Sequence, residues 1–143
     1  MVNGEIYNHE ELRADILQKT NYEFRGTSDC ECVIALYEHY GLAFLSMLNG
    51  EYAFCIYDSN RQVIIAARDR TGVKPLFWTI VDQRLLIVSE AKALLPFGWK
   101  PTWDVRSLRD AGWNTEERTI FQGVSKVRNI SPITTIGDIK SKV

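Results

Sequence analysis

The segment Glu51–Asp58 constrains the fold of this chain more than any other, because it is apolar on both alternating faces. Tyr52, Phe54 and Ile56 fall on one side of an extended strand and Ala53, Cys55 and Tyr57 on the other. A strand patterned this way needs cover on both faces, so it belongs inside a layered structure rather than at a solvated surface. Three further runs, Gln62–Arg68, Leu76–Ile80 and Arg84–Ser89, continue the extended pattern. Ser59-Asn60-Arg61, Thr71-Gly72 and Asp82-Gln83 stand between them as turn candidates. The four runs predict an antiparallel meander.

Helical signals lie outside this block. Asn8 with Glu11 forms a capping-box pattern ahead of Leu12 and Ile16, and Tyr7 is placed to staple onto Leu12. Ser28 with Glu31 repeats the pattern before Val33, Leu36, Tyr37 and Tyr40, a helical face that Gly41 stops. A short helical piece is expected before Asn49-Gly50, Tyr22–Arg25 alternates as a strand would, and Ser89 is placed to cap a helix. Past Pro96 the periodicity breaks, with Asp104 able to cap a short helix through Leu108. Helices that flank a strand block rather than alternate with it favour an α+β architecture.

Several functions are excluded by composition. Lys plus Arg (17) balances Asp plus Glu (18), which leaves no electrostatic footprint for nucleic acid or an anionic membrane. No apolar run reaches the roughly 20 residues of a membrane helix, and no secretory signal is visible, so a soluble cytoplasmic protein is expected. The three cysteines, Cys30, Cys32 and Cys55, lack metal-ligand spacing and read as reduced packing residues. His9 and His39 have no acidic or thiol partner at metal or dyad spacing, so surface positions are expected and no metal site is assigned.

Four motifs occur in order: Asn3-Gly4-Glu5-Ile6-Tyr7-Asn8, Gly26-Thr27-Ser28-Asp29-Cys30-Glu31, Arg68-Asp69-Arg70-Thr71-Gly72-Val73-Lys74-Pro75-Leu76, and Ser89-Glu90-Ala91-Lys92-Ala93-Leu94-Leu95. Together they resemble the glutaminase domain of asparagine synthetases, a branch of the class II glutamine amidotransferases. The resemblance covers residues 1–127 as a partial amidotransferase domain and leaves 128–143 as a divergent tail, where Arg128-Asn129-Ile130-Ser131-Pro132 replaces the Pro-Gly-His expected there. It implies the four-layer αββα sandwich of N-terminal-nucleophile hydrolases, with the N-terminal strands missing.

The resemblance also implies roles. Asn3, through its side-chain amide, and Gly4, through its backbone N–H, match the oxyanion hole, where one such donor is typically worth about 3–4 kcal/mol of transition-state stabilisation. Asp29 matches the carboxylate that holds the α-amino group of glutamine, and Glu5 matches a residue lining the same pocket. Taken singly, Asn-Gly reads as a hairpin turn, and a carboxylate at Asp29 equally as a helix-dipole partner. The Arg68–Pro75 loop and the Ser89–Lys92 turn are expected to shape the site rather than react.

Against the family pattern, the terminal Cys nucleophile and the arginine that grips the substrate carboxylate have no counterpart, and Met1-Val2 supplies no attacking group. The expectation is a glutaminase domain that donates ammonia from glutamine for amide synthesis in a full enzyme and is inactive in isolation. Glutamine and the synthetase domain are the implied partners. ATP and Mg²⁺ belong to that synthetase half, and no cofactor is expected in this chain. A catalytically dead glutamine-binding or scaffold module acting through a partner is the alternative.

Overall fold

A computed structural model describes residues 1–112 and 117–127. The elements run β1 (Val2–Ile6), α1 (His9–Lys19), α2 (Glu31–Tyr40), a 3₁₀ helix (Gly41–Ser46), β2 (Gly50–Asp58), β3 (Val63–Arg68), β4 (Phe77–Val81), β5 (Arg84–Val88), a second 3₁₀ helix (Ala91–Phe97), α3 (Val105–Arg109) and β6 (Ser125–Lys126). The strands form two antiparallel sheets, ordered β1-β2-β3 and β5-β4-β6.

β2 behaves as its pattern requires. Tyr52, Phe54 and Ile56 join Ile6, Leu12, Ile16, Val33, Leu36 and Phe44 in the larger core, which packs the first sheet against α1 and α2. Ala53 on the opposite face joins Ala66, Leu76 and Val127, with Trp78 and Ile87 against them, so the second sheet covers this side. Tyr57, at the far end, is 56% exposed, and two-sided cover therefore stops before the β2–β3 turn. Rings of Tyr37, Phe44, Phe54 and Tyr52 pack in series with centroids 6.1, 5.8 and 5.7 Å apart, within the range favourable for aromatic pairs. The fold class is α+β as expected, with helix, sheet and sheet in the order of an αββα sandwich.

The four-strand meander is corrected to two sheets. Between β3 and β4 the chain wraps around the carboxylate of Asp69, which accepts from Thr71 N and Oγ1 (3.1 and 2.9 Å), Val73 N (2.9 Å) and Lys74 N (3.0 Å). Those donors are consumed in a loop, so β4 starts afresh, paired with β5 and β6. The β4–β5 turn at Asp82-Gln83 is a two-residue reversal with positive φ at both residues (49° and 60°), the geometry that matches strand twist in hairpins.

Local expectations are revised at four places. Asn8 precedes α1 but makes no side-chain cap; its amide bridges to the chain before β2, donating to Met47 O (2.9 Å) and accepting from Asn49 N (3.0 Å). Ser28 does not close a box with Glu31; the Glu31 carboxylate reaches back to Arg25 N (2.7 Å) and Gly26 N (3.0 Å). Tyr22–Arg25 is not a strand: Tyr22 and Phe24 pack edge to face at 4.8 Å, with Arg13 over the Phe24 ring at 3.9 Å, and no strand among the described residues pairs with it to complete a ladder. Ser89 makes no cap for the 3₁₀ turn after β5, which begins at Ala91 with Glu90 ahead of it. Asp104 does cap α3, through Ser107 N (3.0 Å) and Ser107 Oγ (2.8 Å). The division at residue 127 coincides with the end of the described residues, so the tail 128–143 lies outside them.

Candidate active site

Asn3 and Gly4 do not form a turn. They occupy the middle of β1, an edge strand in register Asn3↔Ala53, Gly4↔Tyr52 and Glu5↔Glu51 with β2. Gly4 holds φ +138°, and a Cβ there would lie 2.0 Å from the Glu51 carbonyl oxygen. Only glycine fits, because a side chain would be driven into the partner backbone. Gly50 faces the same constraint, its ideal Cβ meeting Glu5 O at 2.1 Å. The strands thus approach closely at both ends of the Gly4–Ile6 segment.

The ladder's alternation decides where the β1 backbone points. Met1 and Cys55 exchange bonds (2.9 Å each), and Tyr7 N donates to Asn49 O (2.8 Å). In an antiparallel pair such positions alternate with residues whose N–H and C=O aim away from the partner. Val2, Gly4 and Ile6 therefore direct their backbone groups outward at the sheet's free edge. Side chains at the start of α1 and just before α2 engage three of these groups. Asp29 Oδ2 accepts from Ile6 N (2.7 Å), His9 Nδ1 lies 3.0 Å from Ile6 O, and Cys30 Sγ donates to Gly4 O (3.6 Å). Between Gly4 and Ile6, the Gly4 N–H is the outward donor that these contacts leave over.

Asn3 and Glu5 project their side chains from the sheet face that also carries Ala53, and both are exposed. Register places Asn3, Ala53 and Arg68 in one cross-strand row on that face, beside the row formed by Glu5 and Glu51. Two carboxylates directly opposite one another repel. Tyr7 stands beside them: its pKa is raised by burial first, then by hydrogen bonding to Glu51 and the charges of Glu51, Glu5 and Asp69. Arg68 packs its guanidinium over Gly72, where a Cβ would lie 2.4 Å from Nη1. Its buried Nε has no hydrogen-bond partner among the described residues.

Charge on Asp29 is favoured by its surroundings. Burial pushes the carboxyl upward, but hydrogen bonds from the Ile6 and Cys30 backbones and the Cys30 thiol, with nearby His9, outweigh it, so its pKa falls below the ordinary value. Burial is the first cause of the raised pKa at Cys30, reinforced by Asp29, and at Cys32 and Cys55. None of these thiols is held as a thiolate.

The structure thus ties Asp29 to the edge of β1 through Ile6, two residues from Gly4, while Asn3 and Glu5 project their side chains from the Ala53 face of the same strand. Sequence reasoning missed three contributors. His9, expected at the surface, is half-buried against β1. Cys30, expected only to pack, bonds Gly4. Asp69 is 1% exposed and organises its loop, while its own N–H donates to Tyr52 O (2.7 Å), opposite Gly4. An Asp two residues before Thr71-Gly72 was the available signal for the last, since Asp side chains commonly fold onto the backbone that follows. His39 is exposed as expected, packed on the Tyr40 ring. Among the described residues no three His, Cys, Asp or Glu side chains are grouped to hold a metal ion, and no helix is long and apolar enough to cross a membrane.

The α+β pair of antiparallel sheets is the arrangement shared with solved glutamine amidotransferases of the N-terminal-nucleophile fold. Residues 1–139 match the family described as the glutamine amidotransferase domain, and the chain belongs to that family. It is 54% identical over 127 residues to the amidase chyE of Penicillium rubens, covering 89% of this chain and 19% of that protein. To asparagine synthetase (glutamine-hydrolysing) 2 of Bacillus subtilis it is 39% identical over 129 residues, 85% of this chain and 17% of the relative. The chain therefore spans about a fifth of the length of these relatives. Among solved structures, the glutamine phosphoribosylpyrophosphate amidotransferase of B. subtilis superposes with a TM-score of 0.59 at 26% identity, over 66% of this chain and 22% of that one.

Proposed function

We propose that residues 1–127 bind glutamine and polarise its side-chain amide, so that ammonia is released for amide synthesis in a larger enzyme. The observation that carries this reading is the outward Gly4 N–H, left over by its neighbours beside the Asn3 side-chain amide. When the carboxamide of glutamine is attacked, its carbonyl oxygen gains negative charge, and donors already fixed toward that point stabilise it without reorganisation. Asn3 and Gly4 act as those donors. Asp29, charged and adjacent through Ile6, holds the substrate ammonium, and Glu5 lines the same pocket.

Cys30, Cys32 and Cys55 have raised pKa values, and in this reading none of them is the attacking thiol. The attacking group and its base come from outside residues 1–143, as do the synthetase partner and any ATP and Mg²⁺ it uses. The relatives include proteins named amidases as well as asparagine synthetases, and the acceptor of the ammonia is set by that other part.

Calorimetric titration of the chain with glutamine tests the proposal. Saturable heat is expected, reduced at least tenfold in affinity by Asp29→Ala, with no ammonia released by the 143-residue polypeptide. Absence of heat from glutamine with the folded chain overturns the binding reading. Ammonia release above a heat-inactivated control overturns the assignment of the nucleophile elsewhere.

A further inference from the structure

Three side chains at the starts of two helices converge on the free edge of β1, and each takes a backbone group within the Gly4–Ile6 segment. His9 opens α1, whereas Asp29 and Cys30 immediately precede α2. The Asp29 and Cys30 contacts span 23 and 26 positions and are tertiary, whereas His9 reaches back only 3 positions to Ile6 O and adds a local tie at the strand's end. On the other side of the strand, Gly4 and Gly50 let β2 approach to within the reach of backbone atoms alone. The segment is held from both sides, and the Gly4 N–H is the outward donor that these three contacts leave over.

From this geometry we infer that His9, Asp29 and Cys30 form a latch that positions the Gly4 N–H, making Asp29 a positioning residue as well as the ammonium ligand. The inference rests on the proposed glutamine reading for what the donor is aimed at, but the latch itself is a property of the ligand-free chain. A carboxylate offers about four lone-pair sites, so bonding Ile6 N–H does not exhaust Asp29. An ammonium arriving at the same carboxylate pulls on a group already tied to β1, two residues from Gly4. Substrate occupancy and the aim of the oxyanion donor are thereby linked through one side chain. Cys30 adds a weaker tie to the carbonyl of Gly4 itself, because a thiol is a poor donor.

The test uses the full chain and conservative pairs of substitutions. Asp29→Asn keeps an oxygen able to accept from Ile6 N–H and removes the charge, whereas Asp29→Ala removes both. Cys30→Ser keeps a donor toward Gly4 O, and Cys30→Ala does not. In Asp29→Ala, hydrogen exchange of the Ile6 amide is expected to rise roughly ten- to a hundredfold, the loss of a bond to a charged acceptor. The Gly4 amide resonance is expected to move in Asp29→Ala and Cys30→Ala and to return toward its original position in Asp29→Asn and Cys30→Ser. An unmoved Gly4 resonance in folded Asp29→Ala and Cys30→Ala overturns the latch.

If the alanine variants do not fold, the unsubstituted chain decides the matter. A through-hydrogen-bond coupling between the Ile6 amide nitrogen and the Asp29 side-chain carboxyl carbon supports the latch, and its absence in a folded sample overturns it. Glutamine calorimetry on the same sample keeps the two ideas apart. Loss of glutamine heat with the coupling present sinks the binding reading alone. Retained heat with the coupling absent sinks the latch alone.

Discussion

Replacing Asp69 by Ala is expected to destabilise the chain by about 3–5 kcal/mol, although no substrate contact is assigned to this residue. Its carboxylate is almost fully buried (1% exposed) and accepts four hydrogen bonds, from Thr71 N, Thr71 Oγ1, Val73 N and Lys74 N. A bond to a charged acceptor contributes about 1.5–3 kcal/mol, so simple addition would give about 6–12. That sum is too large. Thr71 and Val73 are exposed and their donors can turn to water, whereas Lys74 is half-buried and recovers less. The smaller figure allows for that relaxation. It is still a large share of the roughly 5–15 kcal/mol that keeps a domain folded.

Urea unfolding followed by tryptophan fluorescence and circular dichroism gives the number, with an accompanying fall in Tm on the order of 10 °C. Thr71→Ala serves as the internal scale, because it removes one hydroxyl bond and is expected to cost about 1 kcal/mol. Asp69→Asn keeps one accepting oxygen but presents an NH₂ group to a backbone donor, so an intermediate loss of about 2 kcal/mol is expected. If Asp69→Ala costs less than about 1 kcal/mol, the loop is not organised by this carboxylate and the reasoning fails.

Gly4→Ala is expected to cost about 3 kcal/mol or more, since the new methyl meets Glu51 O at 2.0 Å, whereas Gly41→Ala, with positive φ but open space, should cost only backbone strain, about 1–2 kcal/mol. Equal losses in chemical denaturation would remove the steric argument for β1. Glu51→Gln relieves the carboxylate facing Glu5 across the strands and should stabilise by about 0.2–1 kcal/mol at low salt, with the gain fading as salt is added. A destabilised Glu51→Gln would show that the pair is held by something other than solvent. Asp29 and Asp69 both have depressed pKa values, at Asp69 because bonds from Lys74, Val73, Thr71 and Gly72 outweigh burial. The unfolded chain binds more protons there, so their contribution is present above the ordinary carboxylate value of about 3.9 and lost as pH falls through the lower folded values. Asp29→Asn and Asp69→Asn should each flatten the acid limb of a stability-versus-pH curve, and parallel curves would refute the assignment.

The layers were legible because burial writes itself into strand periodicity. Tyr52, Phe54 and Ile56 against Ala53 and Cys55 announced a strand covered on two sides, and Leu12 with Ile16 announced the face of α1. Sheet membership was not legible. Nothing in Gln62–Arg68 or Leu76–Ile80 says that Asp69 will draw the intervening donors into a loop and so end one sheet before the next begins. Capping residues misled for a similar reason. Asn8 and Glu31 carry the right chemistry for local caps, yet Asn8 found Met47 and Asn49 across the fold and Glu31 the Arg25 and Gly26 amides of the loop just before its helix. At the candidate site, Asn3, Gly4, Glu5 and Asp29 were picked out by the order of motifs. His9 and Cys30 were not, because their partners are carbonyl groups of β1 whose direction depends on strand pairing.

The tie between the first strand and the residues that open α2 also sets where this sequence can be cut and recombined. A chimera built from two homologous parents with a crossover between residues 7 and 28 would inherit an acceptor from one ancestor and its donor from another. Because the β1 partners are backbone groups, a hybrid's edge is loosened when the parent supplying residues 29 and 30 lacks the Asp or the Cys. Safe junctions lie beyond Tyr40, where both halves of the clasp travel together.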